Sequence, residues 1–86
     1  MTRRQYQKFT SAQLAGRQAV TTRELRNSLA VLAQGSVVTI HGKVRRHGTS
    51  GLSIESAACE HCHVRVIMTA VEPEDVDLFP REGDPR

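Results

Sequence analysis

The chain has 86 residues and a net charge of +3, from twelve Lys and Arg against nine Asp and Glu, which is room for one small domain. Tyr6, Phe9 and Phe79 are its only aromatics, so small aliphatics must do most of the packing, and a second copy, a metal or a partner would add stability. No apolar run approaches a membrane span, and MTRRQYQKFTSAQ has basic residues without the apolar segment of a secretory or twin-arginine leader. The expectation is a cytoplasmic protein whose two cysteines are thiols or metal ligands rather than a structural disulfide.

Residues 1–9 read as a flexible basic arm, and Thr10 or Ser11 can cap a short helix running to about Arg17. In AVTTRELRNSLAVLAQG the pattern predicts a longer helix, roughly 22–33. Thr21 and Glu24 have capping-box spacing, and Val20 and Leu25 stand at the positions of a hydrophobic staple. Leu25, Leu29 and Leu32 recur at i, i+4 and i+7, and Gly35 suits the C′ position.

After Gly35 the period changes to two. SVVTIHGKVRRH puts Val38, Ile40 and Val44 on one face and Thr39, His41, Lys43 and Arg45 on the other. HGTSG at 47–51 is a turn and LSIES alternates again, so 36–46 and 52–57 predict a hairpin. HVRVIMTAV, 63–71, is a third strand with apolar residues on both faces, EPED at 72–75 is a turn, and VDLF, 76–79, a short last strand. Residues 10–80 form the domain and 81–86 a loose tail.

This order predicts an α+β domain: an N-terminal helix packed on a small four-stranded antiparallel, barrel-like sheet. The succession of helix, bent meander, tight turn and brief closing strand over 22–79 resembles the small barrels of the Sm-like and SH3-like type. Locally, VTTRELRNSLAVLAQGSVVTIHGK, 20–43, resembles the N-terminal segment of Phd-type antitoxins, which run strand, helix, Gly, strand; that resemblance implies DNA binding.

Charge is divided along the chain. Residues 1–50 carry nine cations against Glu24 alone, a net of +8, whereas 51–86 carry three against eight carboxylates, a net of −5. Such asymmetry points to a basic surface for a polyanion. Arg3, Arg4 and Lys8 on the arm, with His41, Lys43, Arg45 and Arg46 on the strand, are the candidate nucleic-acid-binding residues, because cations neutralise phosphates. Tyr6 and Phe9 interleave with the arm and are placed to stack on exposed bases. The plainer reading of the same residues is a solvated sheet face and a loose terminus.

AACEHCHVRVIM, 57–68, holds a Cys-x-x-Cys-His string. Covalent haem is disfavoured, since the string is followed by a β-rich run and the nearest methionine, Met68, is too close to act as a distal ligand. Dithiol redox chemistry is disfavoured too, because such pairs use a helix N-terminus to lower the thiol pKa, and this pair lies between strands. Zinc suits it better: a Cys-x-x-Cys turn between strands is half of a tetrahedral site. If the hairpin turns about residue 49, position 57 faces 41, which makes His41 the nearest distant ligand. The candidate set is then Cys59, Cys62, His41 and His63, with His61 as a substitute. Against it stands a tight loop with partly buried thiols and no cofactor.

No nucleophile–base–orienter trio and no phosphate-binding glycine loop is visible, so an enzyme is not expected. The sequence favours a small accessory or regulatory nucleic-acid-binding protein, of a kind that would suit a phage or mobile element. The other class is a protein-interaction module, such as a host-factor inhibitor or an assembly component. It would use the acidic segment 72–84 or the helix face, and self-association is open to either.

Overall fold

A computed structural model describes residues 1–57 and 65–84. The element order is α1 (Arg3–Lys8), α2 (Ser11–Leu14), β1 (Gln18–Thr21), β2 (Leu25–Arg26), β3 (Val31–Leu32), β4 (Val37–Arg46), β5 (Thr49–Ser56), β6 (Ile67–Val71), a single 3-10 turn (Pro73–Asp75) and β7 (Val76–Leu78). The class is α+β and the strand pairing is antiparallel, as the sequence suggests. The main sheet has five strands, not four, in the order β6-β5-β4-β1-β7, with β2 and β3 as a separate two-stranded ribbon. It is not closed into a barrel. Closure would require β7 to pair with β6, but β7 is three residues long and pairs with β1.

The two small helices begin where the sequence supplies caps. Thr2 and Thr10 each accept from the N3 amide, and Gln5 and Gln13 reach back to the cap amides. Residues 1–9 are therefore not a flexible arm: α1 packs down through Tyr6, and Phe9 is buried just beyond it. The N-terminal ammonium bonds Val76 O and, at 2.7 Å, Asp77. After α2 the chain is tied to β4 by Gly16 N to Ile40 O at 2.7 Å and Ile40 N to Arg17 O at 2.8 Å.

The helix expected over 22–33 does not form. Its Thr21 is the last residue of β1, and the hydroxyl that looked like a cap donates to Ala33 O at 2.9 Å and accepts from Ser36 N at 3.0 Å. Asn27 Oδ1 accepts from the amides of Leu29 and Ala30, both at 2.8 Å, which makes a side-chain turn that competes with helix. The leucine stripe then resolves differently. Leu25 and Leu32 are direct cross-strand partners and both are buried, while Leu29 at the turn is 92% exposed. A spacing of seven serves a short hairpin as well as two helical turns, and the β-branched run Val20-Thr21-Thr22 sides with strand.

The core is aliphatic: Leu14, Ala19, Val38, Ile40, Leu52, Ile54, Met68 and Val76, with Tyr6 and Phe9 closing one side.

Candidate nucleic-acid interface

The β4–β5 hairpin decides where the candidate cations go. Its turn is tighter than expected: His47 and Gly48 alone form it, with φ of 51° and 78°, both positive as a type I′ turn requires. At the tip Arg46 faces Thr49 and Arg45 faces Ser50. Deeper in, the register shifts by one between Ile40 and Gly42, so that Ile40 faces Ile54 and Val38 faces Ser56. This bulge overturns the two-face assignment made from the alternation. Directly opposed residues share a face, so Lys43 opposite Leu52 and Arg45 opposite Ser50 lie on the side of Ile40 and Ile54. His41 is left on the other side, where its Nε2 lies 3.1 Å from Glu55. A one-residue slip is enough to do this.

The tighter turn, with one further residue of shift from the bulge, removes the argument that drew His41 toward the cysteine loop, because Ser56 pairs with Val38 and not with a residue near His41. Cys59, Cys62, His61 and His63 lie outside the described residues. Among those that are described, no three potential metal ligands converge.

On the Lys43 side, α1 meets the hairpin. The Tyr6 hydroxyl bonds Ser50 Oγ and donates to Gly51 O at 3.2 Å. Arg3 donates to Ser50 O at 2.9 Å, and its guanidinium lies 5.3 Å from the centre of the Tyr6 ring. The Lys43 ammonium stands 4.3 Å over that ring, within cation–π range. Tyr6 thus holds cations from helix and strand around one ring, and Arg45, opposite the same Ser50, extends the group. Arg4 and Lys8 are exposed on α1. The candidate residues brought together are therefore Arg3, Lys43 and Arg45, with Arg4 and Lys8 on the adjoining helix; His41 is separated from them. The Arg46 backbone lies in β4, but its side chain lies outside the described part.

Much of the remaining charge is spent within the molecule. Arg17, only 4% exposed, forms a two-pronged pair with Asp84 at 2.8 and 3.0 Å and donates to Phe79 O at 2.9 Å. The Arg17 hydrogen bonds hold the Asp84 carboxyl below the usual carboxylate range. Arg23 grips Asp75 in the same two-pronged way, at 2.6 and 3.0 Å, which raises the Arg23 pKa further. Arg26 pairs with Glu24 at 3.0 Å and Arg3 approaches Glu74 at 3.8 Å. The acidic segment is thus largely a set of internal counter-ions rather than a free surface. Arg4, Lys43 and Arg45 differ: each is without a carboxylate partner among the described residues.

Two expectations about this face change. Tyr6 and Phe9 are 3% and 4% exposed, so neither ring can stack on a base. Sequence reasoning missed Ser50, the residue that joins helix to hairpin; its only signal was its place beside the turn.

The chain matches no family model, no curated protein and no solved structure. No helix among the described residues is long and apolar enough to cross a membrane.

Proposed function

We propose that this protein binds nucleic acid as a small, non-enzymatic accessory factor, through the face formed where α1 packs on the β4–β5 hairpin. One observation carries the reading. Docking of Tyr6 on Ser50 gathers helix and strand cations into one patch, and Arg4, Lys43 and Arg45 have no carboxylate partner among the described residues. Like charges held together without counter-ions raise the local potential and attract a polyanion. Of the element order that resembles Sm-like and SH3-like barrels, the meander of β4, β5 and β6 and the short closing strand are present, whereas the helix over 22–33 is not and the sheet is open. That resemblance by itself assigns no ligand.

The test is a titration of labelled DNA at several salt concentrations. Three phosphate contacts give a slope of log K against log salt of about −2.7, and each cation removed lessens it by about 0.9. Lys43→Ala/Arg45→Ala is therefore expected to weaken binding and flatten the slope. Equal, salt-insensitive binding by both proteins refutes the reading.

A protein-interaction module has one observation in its favour: Leu29 and Val31 are exposed on the β2–β3 ribbon. Its two sequence-based surfaces do not carry it, since the 22–33 helix is absent and four carboxylates of the acidic segment, Glu74, Asp75, Asp77 and Asp84, face cations of the molecule itself. That second reading is favoured only if the salt titration fails.

A further inference from the structure

We infer that the ligand is double-stranded DNA and that the end of the β4–β5 hairpin enters its major groove. This rests on the phosphate-binding reading of the same face and adds to it the form of the nucleic acid and the element that penetrates it.

The hairpin outruns its sheet. β1 pairs with β4 over Val37–Thr39, and β6 pairs with β5 over Leu52–Glu55. Gly51 still lies against the β6 backbone at Ala70 and Val71, but residues 45–50 continue as a two-stranded ribbon with no strand on either flank among the described residues, held at its root by α1 through Ser50. From Arg45 to His47 at the turn is two steps along the strand, about 7 Å at a rise of ~3.4 Å each. That is most of the ~8.5 Å depth of the B-DNA major groove, and side chains at the turn extend the reach to its floor.

Width agrees with depth. Two strands stand about 4.8 Å apart, and the return strand Thr49-Ser50-Gly51 carries only small side chains. A two-stranded ribbon fits the ~12 Å major groove of B-DNA as it stands, whereas the ~6 Å minor groove would have to be widened at a deformation cost. The ribbon is unsuited to the deep, narrow major groove of A-form RNA. At the root of the ribbon, α1 brings Arg3 against Ser50, where phosphates flanking an entered groove would lie.

Single strands are disfavoured for a separate reason. Binding them relies on aromatic platforms under successive bases, and the rings at this face, Tyr6 and Phe9, are buried. One ring carries two cations and has its hydroxyl committed to Ser50 and Gly51. Such a face grips backbone and groove, with little discrimination among sequences.

The experiment measures fluorescence anisotropy of the whole protein with three labelled probes: a two-turn DNA duplex, one of its strands alone, and an RNA duplex of matching sequence. The expected result is a DNA duplex affinity roughly tenfold or more above either alternative, nearly unchanged when the sequence is scrambled. A major-groove dye is expected to compete, whereas a minor-groove ligand is not. Arg45→Glu should abolish the duplex preference, and the milder Arg45→Thr, which suits a strand, should reduce it, with melting temperatures unchanged. Equal or tighter binding of the single strand or the RNA duplex, or displacement by the minor-groove ligand, overturns this inference while leaving the phosphate reading intact. Failure of all three probes to bind overturns both.

Discussion

Gly42 sits at the bulge that turns Lys43 and Arg45 toward α1, and its replacement by alanine tests that arrangement directly. Its φ of 150° lies where side chains are rarely tolerated, which costs about 1–3 kcal/mol for a residue other than glycine. A Cβ there would also stand 2.6 Å from Ser11 Oγ. Serine can swing aside, but then it gives up the bond it accepts from Lys43 N at 2.9 Å, about 1 kcal/mol more. The total is about 2–4 kcal/mol, which for a domain of this size is a fall in melting temperature on the order of 10–30 °C. Thermal unfolding followed by circular dichroism reads the effect. Adding Ser11→Gly to Gly42→Ala removes the clash but restores neither the lost bond nor the backbone freedom, and it places a glycine in α2, so it should recover none of the loss. A Gly42→Ala protein melting within about 2 °C of wild type would refute both the bulge and the facing of the cations derived from it.

Three further outcomes are expected. A Cβ on Gly51 would lie 2.9 Å from the Ala70 carbonyl carbon and from Val71 O; main chain cannot swing aside, so Gly51→Ala should cost about 1–3 kcal/mol in urea unfolding, with faster amide exchange in β5 and β6. The Arg17–Asp84 pair should show as a pH-dependent difference between wild type and Asp84→Asn. Because the folded-state pKa of Asp84 is depressed, its contribution is present above the ordinary carboxylate range and lost as pH falls through the lower folded value. The two proteins should therefore differ most near neutrality and converge in acid; a constant gap contradicts the assignment. Finally, Leu29→Ser should change stability by less than about 0.5 kcal/mol, because the side chain is exposed; a loss of 2 kcal/mol or more would mean that it packs, as it would on a helix.

What the sequence made legible depended on the range of the physics involved. Caps are local, and Thr10 opens α2 as its spacing with Gln13 requires. Period-two alternation is local as well, and Val38, Ile40, Leu52 and Ile54 face inward as expected. The leucine spacing in 25–32 failed because it fits two structures, and the choice fell to Asn27, whose side chain takes two amides. The bulge at Gly42 was invisible to alternation, although a glycine inside a strand pattern is its usual mark. That single residue moved Lys43 and Arg45 from the face of His41 to the face of Tyr6. The charge division was real in the sequence, but its meaning was tertiary: Asp75 and Asp84 answer Arg23 and Arg17 across more than fifty positions.

Strand β1 lies between β4 and β7, so one of its neighbours is made early in synthesis and the other at residues 76–78. Until that last strand leaves the ribosome, one edge of β1 is bare and the buried Arg17 beside it has no counter-ion. Chains that have formed the hairpin but not yet reached Asp84 are thus the species most exposed to pairing with one another.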